Sequence, residues 1–163
     1  MAIQETIDDI DTKILTILQS DARTPNAEIA RQVGMAPSAI LERLRKLEAR
    51  GILRGYEAKL DPHPFGLGLL AFVFVRSDER LRSGDTGLRL AALPEVLEVH
   101  HIAGEDCYLA KVRAADPEAL GRLLRERFGA IESVRSTRTT IVLDTLKETA
   151  KLPLPVREEV GHG

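Results

Sequence analysis

Seven cationic side chains lie between residues 29 and 60: Arg31, Arg43, Arg45, Lys46, Arg50, Arg54 and Lys59. They face three carboxylates there, Glu42, Glu48 and Glu57. From residue 1 to 28 the balance is reversed, with Lys13 and Arg23 against Glu5, Asp8, Asp9, Asp11, Asp21 and Glu28. Cations gathered in one stretch suit phosphate, and an arginine fork also matches the O6/N7 edge of guanine. The net charge of −2 over 163 residues does not oppose this, because local field governs approach to a polyanion. A solvated helix face would explain one basic helix taken alone. The segregation of charge and the helix signals below favour nucleic acid.

The remaining reactive residue types point elsewhere. His100 and His101 are neighbours, so on a strand they face opposite ways and form no joint metal site. Cys107 is the single cysteine, which excludes an intrachain disulfide and a multi-cysteine zinc site. It reads as a buried strand residue. Gly104-Glu105-Asp106 reads on its own as a hairpin turn. No Ser/His/Asp arrangement, phosphate loop or paired-carboxylate motif stands out, so neither an enzyme nor a cofactor is expected. The first twenty residues carry five charges and no long apolar run, which argues against a signal peptide or a membrane span. With 44% hydrophobic and 29% charged residues the composition is that of a soluble globular protein, and the lack of any intrachain disulfide fits a reducing cytoplasm.

Three helices must position the basic stretch. Ile7, Ile10, Ile14, Ile17 and Leu18 make one helical stripe, predicting a helix over 9–20 with Asp8, Asp9 and Asp11 at its positive end. Thr24 as cap and Pro25 as first helical residue open a second helix over 25–33, stopped by Gly34. A third starts at Pro37 and runs to Arg50, with Ile40, Leu44 and Leu47 inward and Gly51 after it. Two helices joined at a glycine make a helix-turn-helix, whose second helix enters the major groove. Pro37, Ser38, Ala39, Leu41 and Glu42 then lie near base edges, where Glu42 can accept from cytosine N4. Arg43, Arg45, Lys46 and Arg50 reach phosphate or guanine. Residues 52–60 read as one or two short strands, a wing that adds Arg54 and Lys59.

A Pro- and Gly-rich linker over 61–68 leads to a second domain over 69–153, followed by a tail over 154–163. The predicted elements are a strand over 69–76, a charged loop over 77–86, a helix over 87–93, strands over 96–103 and 107–113, a helix from 117 to 128, and a strand within 134–146. Strand, helix, strand, strand, helix, strand is the ferredoxin-like order, an antiparallel sheet with both helices on one face. The fold class is therefore α/β in two domains, a winged helix-turn-helix followed by a ferredoxin-like βαββαβ domain. The first strand is apolar at every position before Arg76, so its other face also needs cover, and a second subunit supplies it most simply.

At this point the chain resembles the Lrp/AsnC family, the feast/famine regulators. The resemblance rests on Asp8-Asp9-Ile10-Asp11-Thr12-Lys13-Ile14-Leu15, Leu18-Gln19-Ser20-Asp21-Ala22-Arg23, Gly34-Met35-Ala36-Pro37 and Leu41-Glu42-Arg43-Leu44-Arg45-Lys46-Leu47-Glu48. It continues through Gly51-Ile52-Leu53-Arg54-Gly55-Tyr56, Leu60-Asp61-Pro62, Gly104-Glu105-Asp106-Cys107-Tyr108-Leu109 and Thr137-Arg138-Thr139, spanning residues 7 to 153. The resemblance implies double-stranded DNA as partner, a second domain of RAM type, homodimers paired through their sheets, and assemblies such as octamers. It also implies that amino acids bind at contacts between dimers and alter DNA binding. The family's G-x-x-D loop lies at that pocket. Here it is Gly104, Glu105, Asp106 and Cys107, faced by Thr140, Ile141 and Val142 of the last strand. Two departures stand out: Cys107 replaces the usual Asp, and Ala36 replaces a favoured Ser, losing a side-chain cap worth about 1 kcal/mol.

Three functions compete. One is a transcription regulator that responds to an amino acid. The second is a DNA-wrapping architectural protein with no ligand response, motivated by Cys107. The third is a regulatory subunit of an enzyme, against which the basic stretch argues.

Overall fold

The computed structural model describes residues 7–78 and 85–155. Residues 79–84 of the expected charged loop lie outside the described residues, as does the tail from 156 onward. The described parts of 1–59 and 149–163 form one compact unit, and residues 60–148 form a second.

In the first unit α1 (Asp9–Ser20), α2 (Asn26–Val33) and α3 (Pro37–Ala49) follow the expected stripes, except that Ile7 precedes α1 and is exposed. Ile14, Ile29 and Ile40 are fully buried where the helices meet. Side chains of this size each contribute roughly 1.5–3 kcal/mol when withdrawn from water. Asp8 caps α1 by accepting from the Asp11 N–H at 2.7 Å. The expected cap on α2 is not made: Pro25 takes that position, and the Thr24 hydroxyl donates instead to the Asp21 carbonyl at 2.8 Å. Gly34 ends α2 at φ 72°, a left-handed conformation that glycine adopts without a Cβ clash. α3 starts from Ala36 with no side-chain cap.

The expected wing is absent among the described residues. Ile52 and Leu53 donate their backbone N–H groups to the Leu47 carbonyl, closing the end of α3, and Leu53 packs on the helical core. From there to Lys59 the chain forms no strand. Gly55 takes a positive φ of 151°, which side-chain-bearing residues rarely adopt, and the Tyr56 hydroxyl bonds back to Glu48 at 3.1 Å.

The second unit has β1 (Leu69–Ser77), α4 (Asp85–Ala91), β2 (Val96–His101), β3 (Tyr108–Ala114), α5 (Pro117–Arg122) and β4 (Val134–Ile141). α5 continues as a π-helical stretch, Leu123–Phe128. The sheet is antiparallel in the order β2-β3-β1-β4, the ferredoxin-like arrangement. Ala71, Val73 and Val75 of β1 pack with Ala110 and Val112 of β3 against Leu90, Leu120, Leu123 and Phe128. Strand alternation sends Phe72, Phe74, Leu109 and Lys111 to the opposite, helix-free face. Part of that face is covered by the chain itself. The Arg138 guanidinium lies 4.0 Å above the Phe74 ring, and Lys111, whose side chain is 12% exposed, is held by Glu98 and Glu148.

Beyond Glu148 the chain joins the helical unit. The Gln19 side-chain amide accepts from the Leu152 N–H at 2.7 Å and donates to the Leu152 carbonyl at 3.1 Å. One side chain therefore satisfies both backbone groups of an otherwise extended residue.

Candidate nucleic-acid interface and ligand loop

α3 turns 100° per residue, so its expected DNA contacts divide among faces. Ile40, Leu44 and Leu47 are buried. Ser38, Glu42 and Arg45 follow at i, i+4 and i+7 on the side away from that stripe, and all three are exposed. Leu41 lies on one flank, 40% exposed. Ala39, Glu42, Arg43, Lys46 and Arg50 border a shallow depression of about 300 Å³ beside Asp11 of α1. Pro37 and Arg54 are exposed at the start of α3 and beyond its end.

The charged groups of α3 have unequal partners. Arg43 Nη1 donates to Asp8 at 2.7 Å and to Asp11 at 2.7 Å. Its side chain is 26% exposed and that of Asp11 is 11% exposed. Partial burial raises the Asp8 carboxyl, but the Asp11 N–H and the Arg43 guanidinium outweigh it, and the net shift is downward. The same bonds hold the Arg43 proton more firmly. Lys46 pairs with Glu42 at 2.9 Å across one turn, both largely exposed, and its hydrogen bond lowers the Glu42 carboxyl. On α2 the Arg31 and Gln32 side chains bring the Glu28 carboxyl down to about 2.

The glycine loop follows β2. Gly104 is at φ 134°, the Ile102 N–H donates to the Cys107 carbonyl, and the Cys107 N–H donates to the Val75 carbonyl at 2.9 Å. The Cys107 thiol points to the Ser77 carbonyl at 3.5 Å, half-buried just before β3. Asp106 accepts from Arg138 Nη2 at 2.9 Å, so the cation stacked on Phe74 also ties down the loop. Glu105 is exposed.

One chain does not bring the two halves of the expected ligand site together. Gly104 to Cys107 lie by Val75 and Ser77, at the end of β1. Thr140 and Ile141 pair with Phe72 and Ala71, and Val142 with Leu70, near its start. Four residue steps of strand from Ala71 to Val75 separate them by about 13 Å. The histidines do diverge: His100 meets Glu98 at 3.3 Å, and His101 packs against Tyr108 with ring centroids 5.1 Å apart.

Sequence reasoning missed Arg138 as the loop's anchor and Asp8 and Asp11 as partners of Arg43. Those partners lie 35 and 32 residues away, and no local pattern reports them. Arg138 stood inside one of the family-like stretches, which was the available signal.

Comparison with known proteins adds independent findings. Residues 7–48 match the AsnC-type helix-turn-helix domain, and residues 70–152 match the Lrp/AsnC ligand binding domain. The HTH-type transcriptional regulator FL11 of Pyrococcus horikoshii is 38% identical over 148 residues, covering 91% of this chain and 97% of that protein. A transcriptional regulator of Neisseria meningitidis, solved as its L-Met complex, superposes with a TM-score of 0.84 at 33% identity, over 91% of this chain and 97% of that one. The feast or famine regulatory protein of M. tuberculosis complexed with L-methionine gives 0.84 at 35% identity, over 92% and 100%.

Proposed function

The chain belongs to the Lrp/AsnC family of transcription regulators, and from that premise we propose how it acts: α3 binds specific duplex sequences, and an amino acid in the sheet unit changes that binding or the assembly of subunits. The observation that carries the reading is the outer face of α3, where Ser38, Glu42 and Arg45 are exposed opposite the buried stripe. Pro37, Ser38, Ala39, Leu41 and Glu42 approach base edges. Arg45, Lys46, Arg50 and Arg54 supply phosphate or guanine contacts, and Arg43 supports them from its seat on Asp8 and Asp11. Residues 1–60 form the DNA-binding domain, 61–68 the linker, and the sheet domain from 69 senses and assembles. The reading includes no catalytic step and places the protein in the cytoplasm with its DNA.

The L-Met in two solved relatives supports an amino acid as the effector class. Gly104, Glu105, Asp106 and Cys107 form one wall, where backbone N–H groups at the glycine turn can hold a carboxylate. Thr140, Ile141 and Val142 form the other wall, contributed by a second copy, which accounts for their separation within one chain. A gel-shift on the chain's own promoter region tests the main reading. Retarded complexes at low salt are expected, and no binding to any DNA would end it.

One observation favours the architectural reading. Asp106 is engaged by Arg138, and the Cys107 thiol rests on a backbone carbonyl, so neither side chain points freely at a ligand. Titration calorimetry across the amino acids separates the two, because saturable heat from one of them excludes a regulator without ligand response.

A further inference from the structure

The cations of α3 have surroundings that assign them different work. Arg43 spends Nη1 on two carboxylates, one of them buried, and cannot turn to a base without leaving Asp11 unpaired. Lys46 is a flexible point charge already paired with Glu42. Arg45, between them in sequence, is exposed, and among the described residues it has no ion-pair or hydrogen-bond partner. It lies seven residues from Ser38, two turns along the side opposite Ile40, Leu44 and Leu47.

We propose that Arg45 reads base identity by placing its guanidinium fork on a guanine, while Arg43 fixes the height and tilt of α3 and Lys46 serves the phosphates. This deepens the regulator reading and rests on it. The arginine fork pairs two donors with guanine O6 and N7, a match no other base offers in the major groove. Arg45 enters that pairing without breaking an internal bond, which Arg43 does not. Leu41, one turn earlier and 40% exposed, offers an apolar surface suited to a thymine methyl. One helical turn advances about 5.4 Å and a base-pair step about 3.4 Å, so a guanine and a thymine should fall within about two steps of each other in each half-site.

The test selects duplexes from a randomised pool with the full-length protein and with Arg45→Ala and Arg45→Lys. Wild type should enrich a two-fold-related site with a guanine in each half. Both variants should lose the preference at that position and keep it elsewhere, with an unchanged thermal midpoint. Affinity for the wild-type site should fall roughly ten- to a hundredfold, and affinity for unselected duplex only a few-fold. Variants that select the same sequence, weakened equally on selected and unselected duplex, would make Arg45 a phosphate contact and overturn the proposal. Wild type that binds duplex with no sequence preference would overturn it too. Wild type that retains no duplex at all would overturn the regulator reading itself.

Discussion

Arg43 shows how one side chain can join a recognition helix to its support. Its two carboxylate partners on α1 and at its cap make the α1–α3 packing electrostatic as well as apolar. Arg43→Ala should cost the helical unit about 1–2 kcal/mol, less than a fully buried pair because Asp8 is half exposed. Urea unfolding at neutral pH measures this. The Asp8 carboxyl is held below its usual value in the folded state. Its contribution is therefore present above the unfolded pKa and lost as pH falls through the lower folded one, below about pH 4. The wild-type midpoint should drop across that window, and Arg43→Ala should show a shallower drop. From sequence, an arginine in the middle of a basic helix reads as a DNA contact. Its inward bonds depend on an approach between helices that local periodicity does not describe.

At the scale of elements, the turns and the helix–sheet contact set the tolerances. Gly34 holds the left-handed link between α2 and α3, and Gly34→Ala should cost about 1 kcal/mol, read by thermal unfolding. Gly87 of α4 sits against the sheet: a Cβ there would come within 2.8 Å of Tyr108 Cε1. Gly87→Ala should therefore cost about 1–3 kcal/mol by overpacking, and the sheet unit should melt earlier. The helices and strands were legible because an apolar stripe of period 3.6 or 2 is written in the residues themselves. The wing was not, because a strand needs a partner, and residues 52–60 find none among the described residues. The π-helical turn after α5 carried no local signal: Leu120, Leu123, Leu124 and Phe128 fit a helix stripe of either winding.

For the whole molecule, the sheet's helix-free face requires an account. β1 is apolar on both sides, which led from sequence to a second copy as its cover, and Phe72 and Phe74 do stand there half-buried. Arg138 and Lys111 cover only part of it, through pairings between strands distant in sequence that the pattern could not show. A charge placed on that face, Phe74→Glu, should shift the protein toward monomers in light scattering, while wild type remains at least dimeric. The most direct measurement is the affinity of the full-length protein for a duplex of its own promoter region, followed by fluorescence anisotropy from about 50 to about 200 mM salt. If Arg45, Lys46, Arg50 and Arg54 meet phosphate or guanine, log affinity should fall linearly with log salt, with a slope of about −0.9 per phosphate neutralised and at least −2 per chain. Affinity that does not change with salt, or no binding at its lowest concentration, would contradict the role assigned to α3.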